Sequence, residues 1–418
     1  MTEVIKEPSS VLASEIVPNT PLAPTLIALT LARLMINGAR RFPYVILTPM
    51  AAALGVPRST LEATLSVLWA TGAISPFTGA FIDRIGRKRM MLIGVGSLAV
   101  LAGIAALGTS ANVVLFVIVA SGIAKTLYDP ALQAYIGDRT SYSQRGMAIG
   151  ITELAWSGSL FILGPLAAFL IVQVSLGAIY GVIAAGSVLS FFLILKVIQK
   201  DAPVTSPDTK TAVSTRALYR SLFASRPAIV LLLTALLMDL CIEQVSIVYE
   251  VWLRDTFTLT TIVLGSLAWV LSTAEVAGEG LVIAISDRFG KRRLLILALA
   301  ATGFTYLLLP ISSGNVGLAI ANLFLLFLCF ETSIVAFLPI ATEVLPQARG
   351  TMMSASIAAF SVGRALGTLL GGWLFRTGGI GFNGVVGWIV SMVVVVLVWR
   401  FVTDAKRDEP PTLIEHSE

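Results

Sequence analysis

A set of ionisable residues lies inside long apolar stretches of this sequence, where side chains can carry protons or bind ions. Its members are Arg33, Arg40, Arg41, Lys125, Asp129, Glu153, Asp239, Glu243, Glu275, Glu279, Glu331 and Arg364. A charge at the centre of a bilayer costs at least about 2.5–3.5 kcal/mol, so each of these residues must face a polar cavity or an oppositely charged partner.

The sequence has no P-loop, no hydrolase nucleophile motif and no metal-spaced Cys/His set. We therefore expect proton transfer and ion pairing rather than enzymatic catalysis, with no cofactor and no metal.

Lys125 and Asp129 are four residues apart, so they share one face of a helix and can form an ion pair. Counting about 1.5 Å per helical residue places Glu153, in the next apolar stretch, at a depth similar to that of Asp129. This predicts a Lys125–Asp129–Glu153 cluster. Two interpretations are open: a structural pair that joins two helices, or a proton site in which two acids face one base.

Asp239 and Glu243 also share a helix face, and like charges one turn apart disfavour joint ionisation. Glu243 reaches about the depth of Arg40 and Arg41 in the first apolar stretch. This predicts an Arg40/Arg41–Glu243 bridge that closes the outer side of a cavity. The alternative is that both arginines extend to the outer lipid headgroups.

Three further carboxylates lie in the second half of the chain. Glu275 and Glu279 share a helix face, whereas Glu331 lies alone among apolar residues. Glu331 is a candidate proton site, with capture by a neighbouring helix as the alternative. We expect Arg364 to satisfy Glu275 or Glu331.

Uncharged side chains in the same stretches are candidates for contact with a solute. Asn37 is one of few amides there, and Tyr128 is one of several aromatic residues near the depth of the charges. The only histidine lies in the C-terminal tail, so carboxylates must carry any coupled proton. In order of preference, we expect Asp239, Glu331 and Glu153.

The elements that carry these residues are membrane helices. The chain has 418 residues, 56% of them hydrophobic, and a mean hydropathy of +0.89, too apolar to cover a water-exposed surface. Segments of the roughly 20 apolar residues that a membrane helix needs begin near Leu22, Ser59, Met90, Ala111, Gly146, Leu176, Pro227, Thr261, Leu294, Val316, Thr351 and Ile380. This predicts an all-α integral membrane protein with twelve transmembrane helices in two six-helix bundles. The expected parts are a tail at 1–21, a bundle at 22–198, a linker at 199–226, a bundle at 227–402 and a tail at 403–418.

Spans 3, 6, 9 and 12 of this series carry no ionisable residue between their ends. We expect these four to face lipid, while the other helices enclose a polar pathway.

A charged loop between spans 2 and 3 recurs between spans 8 and 9, which predicts two related halves. Its first copy includes Gly79, Asp83, Arg84, Gly86 and Arg87, and its second, 204 residues later, includes Asp287, Arg288 and Gly290.

The distribution of basic residues predicts the orientation in the membrane. Lysines and arginines outside the spans number 21 on the side of these loops and three on the other. By the positive-inside rule, both termini are cytoplasmic. No cleaved signal peptide is expected.

This loop, Gly79–Met91, resembles the motif between helices 2 and 3 of the major facilitator superfamily of secondary transporters, with Asp83, Gly86 and Arg87 in its defining positions. Asp138, at the inner end of span 4, matches the acidic residue that accompanies the motif. The resemblance covers essentially the whole chain and implies alternating access. It further implies that Asp83, Arg87 and Asp138 form an inner cluster, with Asp83 near the N-terminus of span 11, which holds the halves together when the cavity opens outward.

One signature of the proton-coupled drug antiporters of that family is absent. These proteins carry an arginine in span 4, four residues before a glycine, whereas here Ile118 precedes Gly122 at that spacing. The resemblance therefore implies a secondary transporter and does not by itself single out drug efflux.

We expect a secondary transporter that moves a small organic solute, with proton-coupled efflux as the first hypothesis. Two alternatives remain: proton-coupled uptake of an anionic metabolite, clamped by the intramembrane arginines or Lys125, and gradient-independent lipid scrambling. The expected partners are a small-molecule solute, protons and the lipid bilayer, with no nucleic acid. The expected form is a monomer in a bacterial inner membrane.

Overall fold

The computed structural model describes residues 22–108, 110–140, 142–199, 215–345 and 349–402, and this part of the chain contains helices and no strand. The α-helices in chain order are α1 (Leu22–Val45), α2 (Leu47–Leu54), α3 (Arg58–Ala70), α4 (Ser75–Ile85), α5 (Arg87–Leu107), α6 (Ala111–Arg139), α7 (Tyr142–Glu153), α8 (Ala155–Gln173), α9 (Leu176–Val197), α10 (Thr215–Ala224), α11 (Arg226–Ser246), α12 (Tyr249–Phe257), α13 (Thr261–Phe289), α14 (Lys291–Ser312), α15 (Val316–Val344) and α16 (Arg349–Phe401).

Nine helical stretches in the described residues are long and apolar enough to cross a membrane. The last of them, Gly350–Phe401, contains two spans, because the backbone breaks at Gly379 with a φ of 64°. Span 1 is α1, whose arginines lower its hydropathy. Span 2 is α3 and α4 joined through a short 3₁₀ turn at Thr71–Ile74. The prediction of an all-α membrane protein with twelve spans is confirmed.

The helices form two bundles that meet along two helix pairs. In the first bundle α5 packs on α6 and α9, and α1 packs on α8 and α9; in the second, α16 packs on α11 and α14, and α15 packs on α13 and α14. Between the bundles, α8 packs on α13 and α3 packs on α16. Spans 2, 5, 8 and 11 therefore form most of the interface, and its middle is free to hold a cavity.

Two glycines make matching turns in the two bundles. Gly86 separates α4 from α5 with a φ of 97°, and Gly290 separates α13 from α14 with a φ of 79°. Residues with a side chain rarely adopt such angles, so the recurrence in the sequence reflects a shared backbone requirement. We call the side of the molecule at these turns the motif side and the opposite side the far side.

Glycines of α16 allow it to lie against the backbone of α11. An added Cβ atom would be 2.1 Å from the Leu236 carbonyl oxygen at Gly363, 2.5 Å from that of Leu240 at Gly367, and 2.3 Å from that of Gln244 at Gly371. The backbones approach too closely for any side chain, as expected for helix packing in membranes. This contact holds Asp239 and Glu243 of α11 next to Arg364 of α16.

The close approach predicts that Gly367→Ala destabilises the protein, because the new methyl group overlaps a backbone oxygen that cannot rotate away. We expect a loss of about 1–3 kcal/mol in the free energy of unfolding, typical of overpacking, measured by thermal or denaturant unfolding in detergent. Gly280→Ala is the matched control, since an added Cβ there has no atom within 4 Å. Equal stability of the two variants would contradict the proposed packing.

Candidate functional site

A cavity of about 430 Å³ lies between the two bundles. The residues singled out from the sequence that line it are Arg33, Arg40, Lys125, Asp129, Glu153, Asp239, Glu279, Glu331 and Arg364. No residue of α5, α9 or α14, or of α16 beyond Gly379, lines this cavity, and these helices expose apolar side chains such as Val100, Phe192, Phe304 and Trp399. The charge-free spans therefore lie outside the polar pathway, as predicted.

The cavity extends from the middle of the molecule toward the motif side. Its wall includes Gln133 near the end of α6, Leu338 near the end of α15, and Met353 and Ile357 near the start of α16. On the far side, a separate chamber of about 50 Å³ is lined in part by Arg41, Glu243 and Glu275.

The first bundle contains a charge cluster centred on Arg33 of α1. Arg33 donates to both oxygens of Asp129 at 3.2 Å and lies 2.8 Å from Glu153 Oε1. Lys125 Nζ is 2.6 Å from Asp129 Oδ2 and donates to Asn37 Oδ1 at 2.7 Å. The predicted Lys125–Asp129 pair is confirmed, whereas Glu153 pairs with Arg33. Because Arg33 brings the cluster to two bases and two acids, the expected excess of acid is absent.

Tyr128 lies outside the cavity wall. Its ring is fully buried, and its hydroxyl donates to the Leu29 carbonyl oxygen at 2.8 Å. The side chain thus joins α6 to α1 and is a packing residue. Asn37 is also fully buried and outside the cavity wall, one layer behind Lys125.

In the second bundle, Arg364 lies between the two acids of α11. Its Nε forms an ion pair with Asp239, and its Nη1 is 3.5 Å from Glu243 Oε2. The expectation that Arg364 satisfies Glu275 or Glu331 was wrong, because the glycine contact between α16 and α11 places Arg364 against Asp239 and Glu243.

Arg41 closes the far side by pairing with Glu275 of α13. Arg41 Nη1 donates to Glu275 Oε2 at 3.1 Å and to the Trp156 carbonyl oxygen at 2.8 Å, and Arg41 Nη2 donates to Glu275 Oε1. The predicted Arg40/Arg41–Glu243 bridge was wrong, since α1 reaches the second bundle beside the α8–α13 contact. Extension to the headgroups was also wrong, because Arg40 and Arg41 are only 4% and 7% exposed.

Glu243 contacts the first bundle through Tyr44, whose hydroxyl donates to it. Trp69 Nε1 in turn lies 2.5 Å from the Tyr44 oxygen, to which it donates. Glu243 therefore contributes to far-side closure through a tyrosine rather than an arginine.

Further contacts between the bundles on the far side were missed by sequence reasoning. Arg376 Nη1 is 2.7 Å from Glu62 Oε2, and Thr48 Oγ1 donates to Glu250 Oε2 at 2.6 Å. Glu62 and Glu250 are almost fully buried. Glu62 and Glu250 lie near the outer ends of spans 2 and 7, and this position was the only indication in the sequence of a contact between the bundles. Hydropathy alone assigns such residues to loops.

Two tryptophans and Arg364 separate the cavity from the far-side chamber. The guanidinium carbon of Arg364 lies 4.7 Å from the ring centre of Trp69 and 5.4 Å from that of Trp156. Arg40 lies 4.2 Å from the Trp69 ring, and Arg41 lies 4.2 Å from the Trp156 ring. Trp69, Trp156, Arg364 and Glu331 line both spaces, so they form the partition between them.

The motif side differs from the far side in its ion pairs. Arg87 Nε is 3.2 Å from Asp138 Oδ2, a pair within the first bundle, and Lys291 Nζ is 2.6 Å from Glu343 Oε1, a pair within the second. In the described residues no ion pair joins the bundles on this side. Arg84 and Arg288 are exposed. The side chains of Asp83 and Asp287, and Gly79, lie outside the described part, so the predicted contact of Asp83 with span 11 stays a prediction.

Three ionisable residues of the cavity wall have no oppositely charged group within 4 Å among the described residues. They are Arg40 in the first bundle and Glu279 and Glu331 in the second. Arg40 and Glu331 are both buried, with exposed fractions of 4% and 8%.

Comparison with known proteins identifies relatives of the whole chain. The family model described as Major Facilitator Superfamily matches residues 29–330 and 245–416. The uncharacterized MFS-type transporter YceJ of Bacillus subtilis is 26% identical over 301 residues, which cover 72% of this chain and 75% of that protein. Multidrug resistance protein 2 of the same organism is 24% identical over 307 residues, which cover 72% and 76%. The crystal structure of a D-xylose–proton symporter superposes with a TM-score of 0.76 at 14% identity, covering 92% of this chain and 99% of that one.

The Arg41–Glu275 contact predicts a characteristic pattern of stability. Removal of one partner leaves the other charge buried and unpaired, which costs about 3–5 kcal/mol, whereas removal of both costs much less. We therefore expect Arg41→Gln and Glu275→Gln each to lower the unfolding midpoint in detergent strongly, and the double variant to recover most of the loss. Additive losses would show that the two side chains are independent.

Proposed function

The chain belongs to the major facilitator superfamily of membrane transporters, and we propose on that premise that it exports small organic solutes in exchange for protons by alternating access. The observation that carries this proposal is the asymmetry of the bundle interface. Ion pairs and hydrogen bonds join the bundles on the far side, while the central cavity extends toward the motif side, where no such pair joins the bundles in the described residues.

The sidedness of the cavity follows from the charge of the loops. We propose that the motif side is cytoplasmic, as the excess of lysine and arginine there indicates, and that the tails at 1–21 and 403–418 lie on it. The bundles at 22–198 and 227–402 would then rock about the central cavity. In this arrangement the protein receives solute from the cytoplasm, and the contacts of Arg41 with Glu275 and of Glu62 with Arg376 must part before release.

Glu331 is the best candidate to carry the coupled proton. Asp239 is paired with Arg364, and Glu153 is paired with Arg33. Protonation of Asp239 or of Glu153 would therefore break an ion pair. Glu331 has no such partner among the described residues, and it lies in the partition between the cavity and the far-side chamber. Proton binding there can alter the partition without first disrupting a bundle. Glu279, in the same cavity wall, is the second candidate.

The direction of transport is supported by the relatives. Multidrug resistance protein 2 of Bacillus subtilis and the MdtG multidrug resistance proteins of Escherichia coli are named for drug resistance, which export provides. Proton-coupled uptake of an anionic solute is the second candidate, favoured by the unpaired Arg40 in the cavity wall. The cavity's mixture of charges disfavours an uncharged sugar as the solute.

Transport by purified protein in liposomes tests the coupling. With an imposed pH gradient and a panel of fluorescent organic cations and anions, we expect accumulation of dye when the lumen is acidic, as exchange for protons requires. Glu331→Gln should reduce gradient-driven accumulation at least about tenfold, because the coupled proton can no longer bind, while exchange of labelled for unlabelled dye continues. Glu343→Gln, which removes an exposed acid on the motif side, is the control and should transport normally.

The opposite gradient separates the alternatives. Accumulation with an alkaline lumen would indicate uptake by symport, and equilibration that ignores the gradient would indicate facilitated movement or scrambling. Undiminished coupling in Glu331→Gln would exclude Glu331 as the carrier.

A further inference from the structure

We propose that Arg40 binds the anionic group of the transported solute, and that this solute is an amphipathic organic molecule with a single carboxylate. This rests on the proposed transport function and specifies the class of its substrate. It concerns the cavity wall on α1, where a buried cation has no carboxylate within 4 Å in the described part of the chain.

Comparison of the five intramembrane cations singles out Arg40. Arg33, Arg41, Lys125 and Arg364 each have a carboxylate oxygen within 4 Å. Arg40 has none among the described residues. The four paired cations stabilise the bundles, so a solute that bound one of them would have to displace a protein carboxylate. Arg40 can bind an anion without that exchange.

The surroundings of Arg40 leave its hydrogen-bonding groups unused. The side chain is only 4% exposed, and its buried Nε and Nη1 atoms have no hydrogen-bond acceptor in the described part of the chain. Its guanidinium carbon lies over the Trp69 ring, 4.2 Å from the ring centre, and the ring face stabilises the charge. Stacking does not use the N–H groups at the edge of the plane. Either of these N–H groups, at Nε or at Nη1, can act with the neighbouring Nη2 as the fork that binds a carboxylate in a bidentate manner.

A second buried donor lies one turn away on the same face of α1. Asn37 precedes Arg40 by three residues, and its Oδ1 accepts from Lys125, which fixes the orientation of the amide. Its Nδ2 is then left without an acceptor. Asn37 lies behind the cavity wall, so Arg40 is the residue that can meet a solute. The unpaired donors of both residues leave this turn of α1 without an acceptor among the described residues, which favours an anion at Arg40.

The charges and shape of the cavity limit the anion to one negative charge with an apolar body. The wall already contains five acids, Asp129, Glu153, Asp239, Glu279 and Glu331, against four bases, so a dianion such as a phosphate ester would be repelled. Beside Glu331 and Arg364, α15 and α16 contribute apolar side chains to the same wall, namely Ile334, Leu338, Met353, Ile357 and Phe360. A monocarboxylate with an aromatic or aliphatic body fits both features.

Binding to purified wild-type protein in detergent tests the proposal with matched probes. The probes are 4-phenylbutyrate, its neutral amide and the cationic 4-phenylbutylamine, together with benzoate and octanoate and their amides. Binding is measured from tryptophan fluorescence and from the shift in unfolding temperature. We expect carboxylates to bind at least tenfold more tightly than the amides and the amine. Equal or tighter binding of the amide or amine, or no binding of any carboxylate at millimolar concentration, would overturn the proposal.

Variants at Arg40 locate the binding. Arg40→Gln should reduce carboxylate affinity at least tenfold, to that of the amide, and leave amide affinity unchanged, whereas Arg40→Lys should retain part of the preference. Lys291→Gln, which removes an exposed cation on the motif side, is the matched control and should bind like the wild type. A carboxylate preference that persists in Arg40→Gln would overturn the assignment. Chloride that binds through Arg40 as tightly as the carboxylates would also overturn it, in favour of an inorganic anion.

Stability distinguishes a binding residue from a structural one. Because no described carboxylate within 4 Å of Arg40 would be left unpaired, Arg40→Gln should keep or raise the unfolding midpoint of the ligand-free protein, in contrast to Arg41→Gln. A loss as large as that of Arg41→Gln would identify Arg40 as structural and overturn the proposal.

Transport separates the failure of this inference from failure of the proposed function. Gradient-driven movement of cationic dyes that is unaffected by Arg40→Gln, with no carboxylate preference, would leave the transporter function in place and exclude the anion site. A carboxylate preference that depends on Arg40, without any gradient-driven movement, would support the site and exclude coupled export.

Discussion

The structure depends on the high cost of an unpaired charge within a membrane. Twelve ionisable residues lie in the spans, and most of them are arranged so that a cation contacts one or two carboxylates. Arg33 joins α1 to α6 and α7, and Arg364 joins α16 to α11. Because removal of one partner leaves the other buried without compensation, these pairs act as fixed connections between helices. Each bundle therefore behaves as a unit whose internal geometry resists change.

Connections between the bundles differ from those within them. Arg41 with Glu275, Tyr44 with Glu243 and Arg376 with Glu62 all lie on the far side. Opening of that side separates charges that are buried in the present state, so the water that enters must replace the lost contacts. The proposed alternating access would exchange contacts between the bundles for contacts with water on the far side, and the cavity on the motif side is consistent with that exchange.

Groups that depart from the pairing rule are the ones with functional potential. Glu331 and Arg40 are buried in the wall of the same cavity, one in each bundle, and neither has a counter-ion among the described residues. An acid that is not in an ion pair can bind a proton without breaking a contact between helices. A base that is not in an ion pair can bind an anion, again without breaking such a contact. Trp69 and Trp156 lie against Arg40, Arg41 and Arg364, so these cations contact the partition between the two spaces directly.

Sequence alone determined the spans, the charge-free helices that face away from the cavity, the repeated glycine turns and the Lys125–Asp129 pair. Each of these depends on distance along one helix or on the boundary between lipid and water, which hydropathy and residue spacing report directly. Only the tertiary structure decided that Arg41 meets Glu275, that Arg364 meets Asp239 and that Arg33 completes the first cluster. Contacts between helices depend on the rotation and tilt that packing imposes, here through the close approach of Gly367 to Leu240 and of α8 to α13, and spacing in the sequence contains no measure of either.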